Sequence, residues 1–490
     1  MASLYGSQTV ISLLHRVLRI LEEESALETD ISKPVVQFKH PAELKKEQLF
    51  ENLGPPATED SLETVVRDVV RFSVKTQHPL FLNQLYGRVD EYGLAGAWIT
   101  EALNTNQHTF EVAPVFTLVE MAVIERLLQV VGYGEGDGIF AAGGSMANMY
   151  AMVLARFKLC PETKKTGLYS TTPLAAFTSS DSHYSVLKAA HWLGLGMDHI
   201  HMVDTDNEGR MLPEALDLRI QEALDAGERP FFVNATAGTT VLGAFDPLHS
   251  IADVCHKYSV WLHIDACWGG ALFFSQKYKN VLDGAERSDS IAWNPHKMLG
   301  APLQCSVILL KEKELLYKCN SASATYLFQQ DKFYDTTYDT GDKSVQCGRK
   351  PDAFKLWLMW RARGDEGLAA LVDDAMDKSR YFLEKIRNHQ DFRLVLPQFQ
   401  CTNICFWYIP KCLQGQPETT EWWERVGKVA PLIKQRVAMN GRLLIGYQPL
   451  AHRHLPNFFR FVLACHPTHS EAHLDTVIAE IAAAGSDLLV

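Results

Sequence analysis

Apolar residues recur every three or four positions over residues 5–25 (Val10, Leu13, Leu14, Val17, Leu18, Leu21), which predicts an amphipathic helix. Residues 28–60 mix Pro, Lys and Glu and predict an extended arm with short helices. From about residue 90 the pattern changes. Helical segments alternate with short apolar runs at Ala175–Thr178, Phe231–Ala235, Val260–Ile264 and Ser306–Leu310. Such alternation predicts an α/β domain on a largely parallel sheet. After about residue 370 a helical stretch precedes two further strand candidates, Asn403–Ile409 and Phe458–Leu463, so a smaller α+β domain is expected. The expected division is an arm over 1–90, a large domain over 91–370 and a small domain over 371–490.

Composition narrows the function classes. The chain has 490 residues, 47% apolar and 21% charged, enough to bury several layers without a disulfide scaffold. A net charge of −11 argues against a nucleic-acid or anionic-membrane partner. No run approaches the roughly 18 apolar residues of a membrane span. His15, Arg16 and Arg19 interrupt the first apolar stretch, which makes it a poor signal peptide. The ten cysteines are scattered with no CxxC, so reduced thiols and a cytoplasmic location are expected. Asn234-Ala-Thr236 fits a glycosylation acceptor, but it follows the apolar run Phe231–Val233 and is expected to be a buried strand end. The pairs His199/His201 and His452/His454 have no Cys or carboxylate cluster beside them in sequence. They are expected to be surface or loop histidines, with no metal. GxGxxG, Walker A, GxSxG and HExxH do not occur.

Four segments carry candidate chemistry. In Trp261–Gly270 an apolar strand ends in Asp265, where a ligand sits in an open α/β sheet; a helix cap is the equally open reading. In Asp289–Gly300 a His296–Lys297 pair stands among Trp293, Met298 and Leu299. Partial burial of a lysine makes a neutral amine available for imine chemistry. Asp265 and Lys297 are far enough apart for one helical crossover. Gly143-Gly144-Ser145 precedes a helical run and offers free N–H groups to a phosphate, or Ser145 simply caps the helix. His183 lies on a strand–helix turn, either flat against an aromatic ligand or capping the turn. An amine, a strand-end carboxylate, a phosphate turn and a histidine together meet the needs of pyridoxal 5′-phosphate (PLP).

The sequence resembles the animal acidic amino-acid branch of the group II PLP-dependent decarboxylases, from about residue 40 to the end. That branch holds glutamate, cysteine sulfinic acid and aspartate 1-decarboxylases. The resemblance rests on NPHK (294–297), TAGTTVLGAFDP (236–247), YLFQQDKFYDTTYDTGDKSVQCGR (326–349) and NICFWYIP (403–410). It implies the aspartate aminotransferase type I fold, with a mixed, mostly parallel sheet in the large domain. It also implies PLP and a homodimer with active sites at the subunit interface, the N-terminal helix clasping the partner. Lys297 would carry the cofactor and Asp265 would face its ring nitrogen. His183 would stack on the ring, with Ala266 opposite. Gly144, Ser145, Asn294 and His296 would surround the phosphate, and Thr240 the ring substituents. Tyr326 would protonate the substrate Cα from a loop of the other subunit. Ala142 and Cys267 replace the family's usual Pro and Ala; the thiol is expected to make the site sensitive to oxidation. Arg460 matches the family's carboxylate-recognising arginine. Gln84 and Tyr86 match the segment lining the side-chain pocket, and Leu303 is a second discriminator. An aromatic at 86 and a leucine at 303 point to L-cysteine sulfinate, giving hypotaurine. Aspartate (to β-alanine) and cysteate (to taurine) are possible further substrates. Asn104-Thr-Asn106 and the NATAGTT run look more like glutamate decarboxylase, which makes γ-aminobutyrate; that reading and aspartate 1-decarboxylase stay open.

Overall fold

A computed structural model describes residues 7–27, 30–47, 54, 56, 58–169 and 171–490. The expectation of short helices in 28–60 falls partly on positions 28–29, 48–53, 55 and 57, outside the described residues. Within reach, one helical turn forms at Pro41–Leu44. The amphipathic pattern at the start is a helix, Ser7–Glu23. It packs against a second helix, Glu59–Phe72, whose N-cap Thr58 accepts from Ser61 N–H. Arg16–Glu59, Arg19–Glu63, Arg67–Glu23 and Arg71–Glu24 ion pairs join the two.

Seven strands build the large sheet: β2 (Asp137–Ala141), β3 (Leu174–Ser179), β4 (Ile200–Val203), β5 (Arg229–Thr236), β6 (Trp261–Asp265), β7 (Ser290–Trp293) and β8 (Ser306–Leu310). Their order is β2-β8-β7-β6-β5-β3-β4. Only β8 runs against its neighbours, so the sheet is mixed and mostly parallel. All four strands read from the apolar runs are present. The link from β6 to β7 differs from expectation: three short 3-10 segments replace a helix.

A second sheet has the order β1-β11-β12-β10-β9, from β1 (Phe81–Leu82), β9 (Phe392–Leu394), β10 (Asn403–Tyr408), β11 (Leu444–Leu450) and β12 (Leu455–Val462). All its pairs are antiparallel except β1 with β11. Thus Phe81 and Leu82, expected in the arm, form an edge of the C-terminal sheet. The helix Ala353–Arg387 packs against the 3-10 segment after β6 and against β9 and β10, and breaks at Gly364, where φ is 65° and ψ 178°.

One buried ion pair ties the large sheet's flank together. Arg349 donates to Glu120 at 2.5 Å and to the Gln107 carbonyl at 2.9 Å. Glu120 also accepts from Phe140 N–H at 3.0 Å and from Gln107 Nε2 at 2.6 Å. The Arg349 and Glu120 side chains are 2% and 3% exposed. Replacing Arg349 by Met leaves the buried Glu120 without its cationic partner. We expect a loss of about 3–5 kcal/mol, read as a lower thermal midpoint or denaturant midpoint.

Candidate active site

The parallel register sets the site. Thr236 lies opposite Asp265, and Asp265 opposite Ala292, so the ends of β5, β6 and β7 meet at one edge. The loop after β7 brings Asn294, His296 and Lys297 to that edge. Across from it, β2 turns at Gly143 into the helix Gly144–Leu159. Gly143 has φ +95°, a conformation that suits glycine. A cavity of about 250 Å³ opens there. Gly144, Ser145, His183, Thr240, Asp265, Asn294, His296 and Lys297, all read from the sequence, line it together with Asn148 and Thr236.

Asp265 is 5% exposed. Its Oδ1 accepts from Cys267 N–H at 3.0 Å and its Oδ2 from Asn148 Nδ2 at 2.8 Å. Burial alone would raise its pKa. The Lys297 charge, the bonds from Cys267 and Asn148, and the nearby His183 together hold it below the usual carboxylate range. Asp265 does not cap a helix, since the N-cap of the following 3-10 segment is Trp268 and no side-chain cap bond forms there; it braces the turn at Cys267 and lines the cavity. Burial lowers His183, whose Nδ1 accepts from Ser185 N–H at 3.3 Å at the start of a helix. Its ring stays neutral and lines the cavity. The loop that carries it is pinned by Asp181, which accepts from Arg453 at 2.7 Å and Thr205 at 2.8 Å.

Ser145 does not cap its helix: the N-cap is Gly143 and no side-chain cap bond forms. The Gly144 and Ser145 N–H groups have no preceding turn to bond and sit at the positive end of the helix dipole. Burial pushes His296 down to about 4, so its ring is neutral; Nδ1 is held by the Cys305 main chain. Burial, with Asp265 beside it, raises the Cys267 thiol well above its ordinary value. The thiolate is the reactive form, so the expected sensitivity to oxidation is not supported.

Six expected site residues do not line this cavity. Ala266 is fully buried beneath it. Arg460 donates to the Thr240 carbonyl at 2.9 Å and to the Asn83 carbonyl at 3.3 Å, so it borders the cavity from the second sheet. Tyr86 is half-buried, its ring 5.9 Å from that of Phe81. Gln84, Leu303 and Tyr326 are exposed, the last two at 56% and 78%. Asn148 and His263 were not read from the sequence. Asn148 is one helical turn past Gly144, and His263 shares a strand face with Asp265 two residues on; those spacings were the available signal.

Elsewhere, Asn234 is a buried strand residue bonded to Thr178 Oγ1 at 3.0 Å, as expected. The His199/His201 expectation needs correction. Both rings bond one carboxylate, Glu228, at 2.5 Å each, because the turn before β5 returns to the edge strand β4. His452 contacts Asp181 at 3.1 Å. Among the described residues no group of three such side chains is arranged to hold a metal.

The model of the pyridoxal-dependent decarboxylase conserved domain matches residues 41–409. The chain belongs to the pyridoxal-dependent decarboxylases. It is 47% identical to mouse cysteine sulfinic acid decarboxylase over 98% of this chain and 97% of that one. It is 48% identical to human acidic amino acid decarboxylase GADL1 over 96% and 90%. The crystal structure of mouse CSAD superposes with a TM-score of 0.94 at 46% identity, over 99% of this chain and all of the other. This decarboxylase is thus a PLP enzyme of the type I architecture.

Its cavity fits the cofactor. Asn294 Oδ1 and Thr236 Oγ1 are buried with no hydrogen-bond partner. A Cβ on Gly144 would stand 2.5 Å from Asn294 Nδ2 and 2.6 Å from Cys267 Sγ, so only a glycine leaves this wall open. Gly144→Ala should keep the fold and weaken PLP binding by at least about tenfold, roughly 1.4 kcal/mol, measured by titrating cofactor into the apoprotein.

Proposed function

We propose that this decarboxylase converts a small acidic amino acid to its amine, with L-cysteine sulfinate to hypotaurine as the best-fitting reaction. Aspartate to β-alanine and cysteate to taurine are side reactions of the same site, which places the enzyme in taurine formation. The observation that carries this reading is Arg460. Its guanidinium meets only carbonyl oxygens, its Nε is buried without a partner, and no carboxylate of the described residues pairs with it. A buried cation calls for an anion, and the substrate's acid group supplies one. Tyr86 supports the shorter substrate. It stands three residues past Asn83, whose carbonyl accepts from Arg460, and on this reading an aromatic ring at 86 would shorten the side-chain pocket against glutamate's extra methylene. The names of the relatives agree with this reading at 46–49% identity.

The residues divide the work as follows. Lys297 carries the cofactor. Gly144 and Ser145 N–H, Asn294 and His296 would hold its phosphate by donated hydrogen bonds and the helix dipole. Ionised Asp265 would hold a proton on the ring nitrogen, and the neutral His183 ring and Ala266 would flank the ring. When bound, PLP draws off the electron pair left on the substrate Cα as carbon dioxide departs. Arg460 fixes the substrate's acid group. The Tyr326 hydroxyl then delivers the proton to Cα, from the second subunit.

A cytoplasmic homodimer fits these assignments. All ten cysteines are free, and no described helix is long and apolar enough to cross a membrane. Tyr326, Gln84 and Leu303 face outward, and Val10, Leu13, Leu14, Trp98, Leu103 and Val115 are exposed apolar groups on helices of the same chain. A second copy would cover such faces and complete the site.

Three measurements test these assignments. Turnover of cysteine sulfinate, aspartate, cysteate and glutamate should rank cysteine sulfinate first. Arg460→Met should lower its kcat/KM by about one to two decades. Glutamate as the fastest substrate, or an unaffected Arg460→Met, overturns the substrate reading. Mixing the near-inactive variants Lys297→Ala and Tyr326→Phe should restore roughly a quarter of wild-type activity, because random pairing leaves one intact site in half the dimers. No recovery would place Tyr326 in its own subunit's site.

A further inference from the structure

The hydrogen bonds behind Asp265 have only one consistent direction. Ionised Asp265 can only accept, so Asn148 must turn its amide N–H groups toward it, as the 2.8 Å contact to Oδ2 requires. The second N–H of Asn148 goes to Ser185 Oγ at 2.9 Å. That orientation aims Asn148 Oδ1 at His263 Nε2, 3.0 Å away, so Nε2 carries the ring proton. His263 Nδ1 is then an acceptor, 2.8 Å from Ser290 Oγ, which donates. Ser290 Oγ in turn accepts from the Trp261 indole N–H at 2.9 Å. The β6–β7 register places Ser290 directly opposite His263. Trp261, His263, Asn148, Ser185 and Ser290 are all buried, and His263 stacks on Phe232 with ring centroids 5.7 Å apart.

We infer that Asn148 and His263 are positioning residues that hold the Asp265 carboxylate ionised and correctly turned for the cofactor's ring nitrogen. Neither touches the reacting atoms. His263 acts through Asn148, and Asn148 acts through Asp265. One carboxylate oxygen is occupied by Cys267 N–H and the other by Asn148. This fixes the plane of the group while each oxygen keeps a second lone pair. Burial pushes His263 down to about 4, so the neutral tautomer that the chain needs persists through the neutral pH range. The titratable groups facing Asp265 are Lys297 and Cys267 from neighbouring loops, His183 from the β3 turn, and His263 on its own strand. The inference rests on Asp265 facing the cofactor, which the control below tests separately.

The test uses full-length holoenzyme and reads cofactor retention against pH, alongside the melting of the cofactor-free protein. Asn148→Ala and His263→Leu should move the acid-side release of PLP upward by about one to two pH units, the size of a lost hydrogen bond to a charged group. His263→Gln keeps an N–H donor near the Nε2 position and should retain PLP close to wild type. A purely structural role predicts lower melting for every variant with no change in the acid limb. That result, or His263→Gln shifting as far as His263→Leu, overturns the inference. Should the variants fail to fold, nitrogen-15 NMR of histidine-labelled wild-type holoenzyme decides: an Nδ1–H tautomer or a charged ring at His263 near neutral pH overturns it. As the control, Asp265→Asn should weaken PLP binding across the whole pH range. Wild-type retention in that variant would sink the Asp265 assignment itself, whereas a loss there with normal Asn148→Ala and His263→Leu profiles would sink only the relay.

Discussion

A carboxylate that stays ionised while 5% exposed is the constraint on which the rest of this molecule turns. Stripping water from such a group costs several kcal/mol unless the fold returns donors and positive charge. Here the return comes from four places at once: the Cys267 N–H, Asn148 from the facing helix, Lys297 from the loop after β7, and His183 from the β3 turn. No two of these lie on the same strand or helix. They converge because β5, β6 and β7 are parallel and in register, so that their ends, and the loops leaving them, share one edge. The parallel core is therefore what makes a dry anion tolerable, and the anion is what makes the core useful to a cofactor with a basic ring nitrogen.

Recognition belongs to a different part of the molecule. Arg460 sits on β12 of the second sheet and reaches across to the Thr240 carbonyl, while the 81–86 segment runs beside it through Asn83. Arg453, on the turn leading into β12, grips Asp181 and so steadies the loop bearing His183. The cavity is thus a seam. The large sheet supplies the groups proposed to hold and tune a cofactor, and the small sheet supplies the buried cation proposed to select an acidic substrate.

Much of this was legible in the sequence, for identifiable reasons. Apolar runs of four or five residues at β3, β5, β6 and β8 are long enough to stand out, and those at β3, β5 and β6 end in polar turns that line the cavity. Asp265, His183, Gly144 and Lys297 were each ambiguous alone, and became informative only as a set that one cofactor needs. The short β2, β4 and β7 were hidden because their four or five residues lie inside segments read for their polar groups. Phe81–Leu82 gave no strand signal, since a two-residue edge is defined by its partner β11, not by its own pattern. The break at Gly364 and the 3-10 link between β6 and β7 depend on packing that no local period encodes. Asn148 and His263 escaped notice because their meaning lies in a contact 115 positions apart in sequence.

The proposed proton donor shows why some site residues must look misplaced in a single chain. A group that protonates Cα should act only after carbon dioxide has left, so a fixed place on the sheet would serve it poorly. Tyr326 instead stands near the start of a segment tied down on both sides. Asp342 accepts from Ala322 and Ser323 N–H at 3.0 Å, and buried Asp339 accepts from Lys332 at 2.8 Å and Tyr334 at 2.9 Å. Between these anchors the tip, with Tyr326 78% exposed, makes few buried contacts and is the part of the segment cheapest to move. Anchored ends with a free tip allow the tyrosine to reach a neighbouring site without unfolding the segment that carries it. The exposure of Tyr326 accords with the proposed role, since a side chain serving another subunit cannot also be buried in its own.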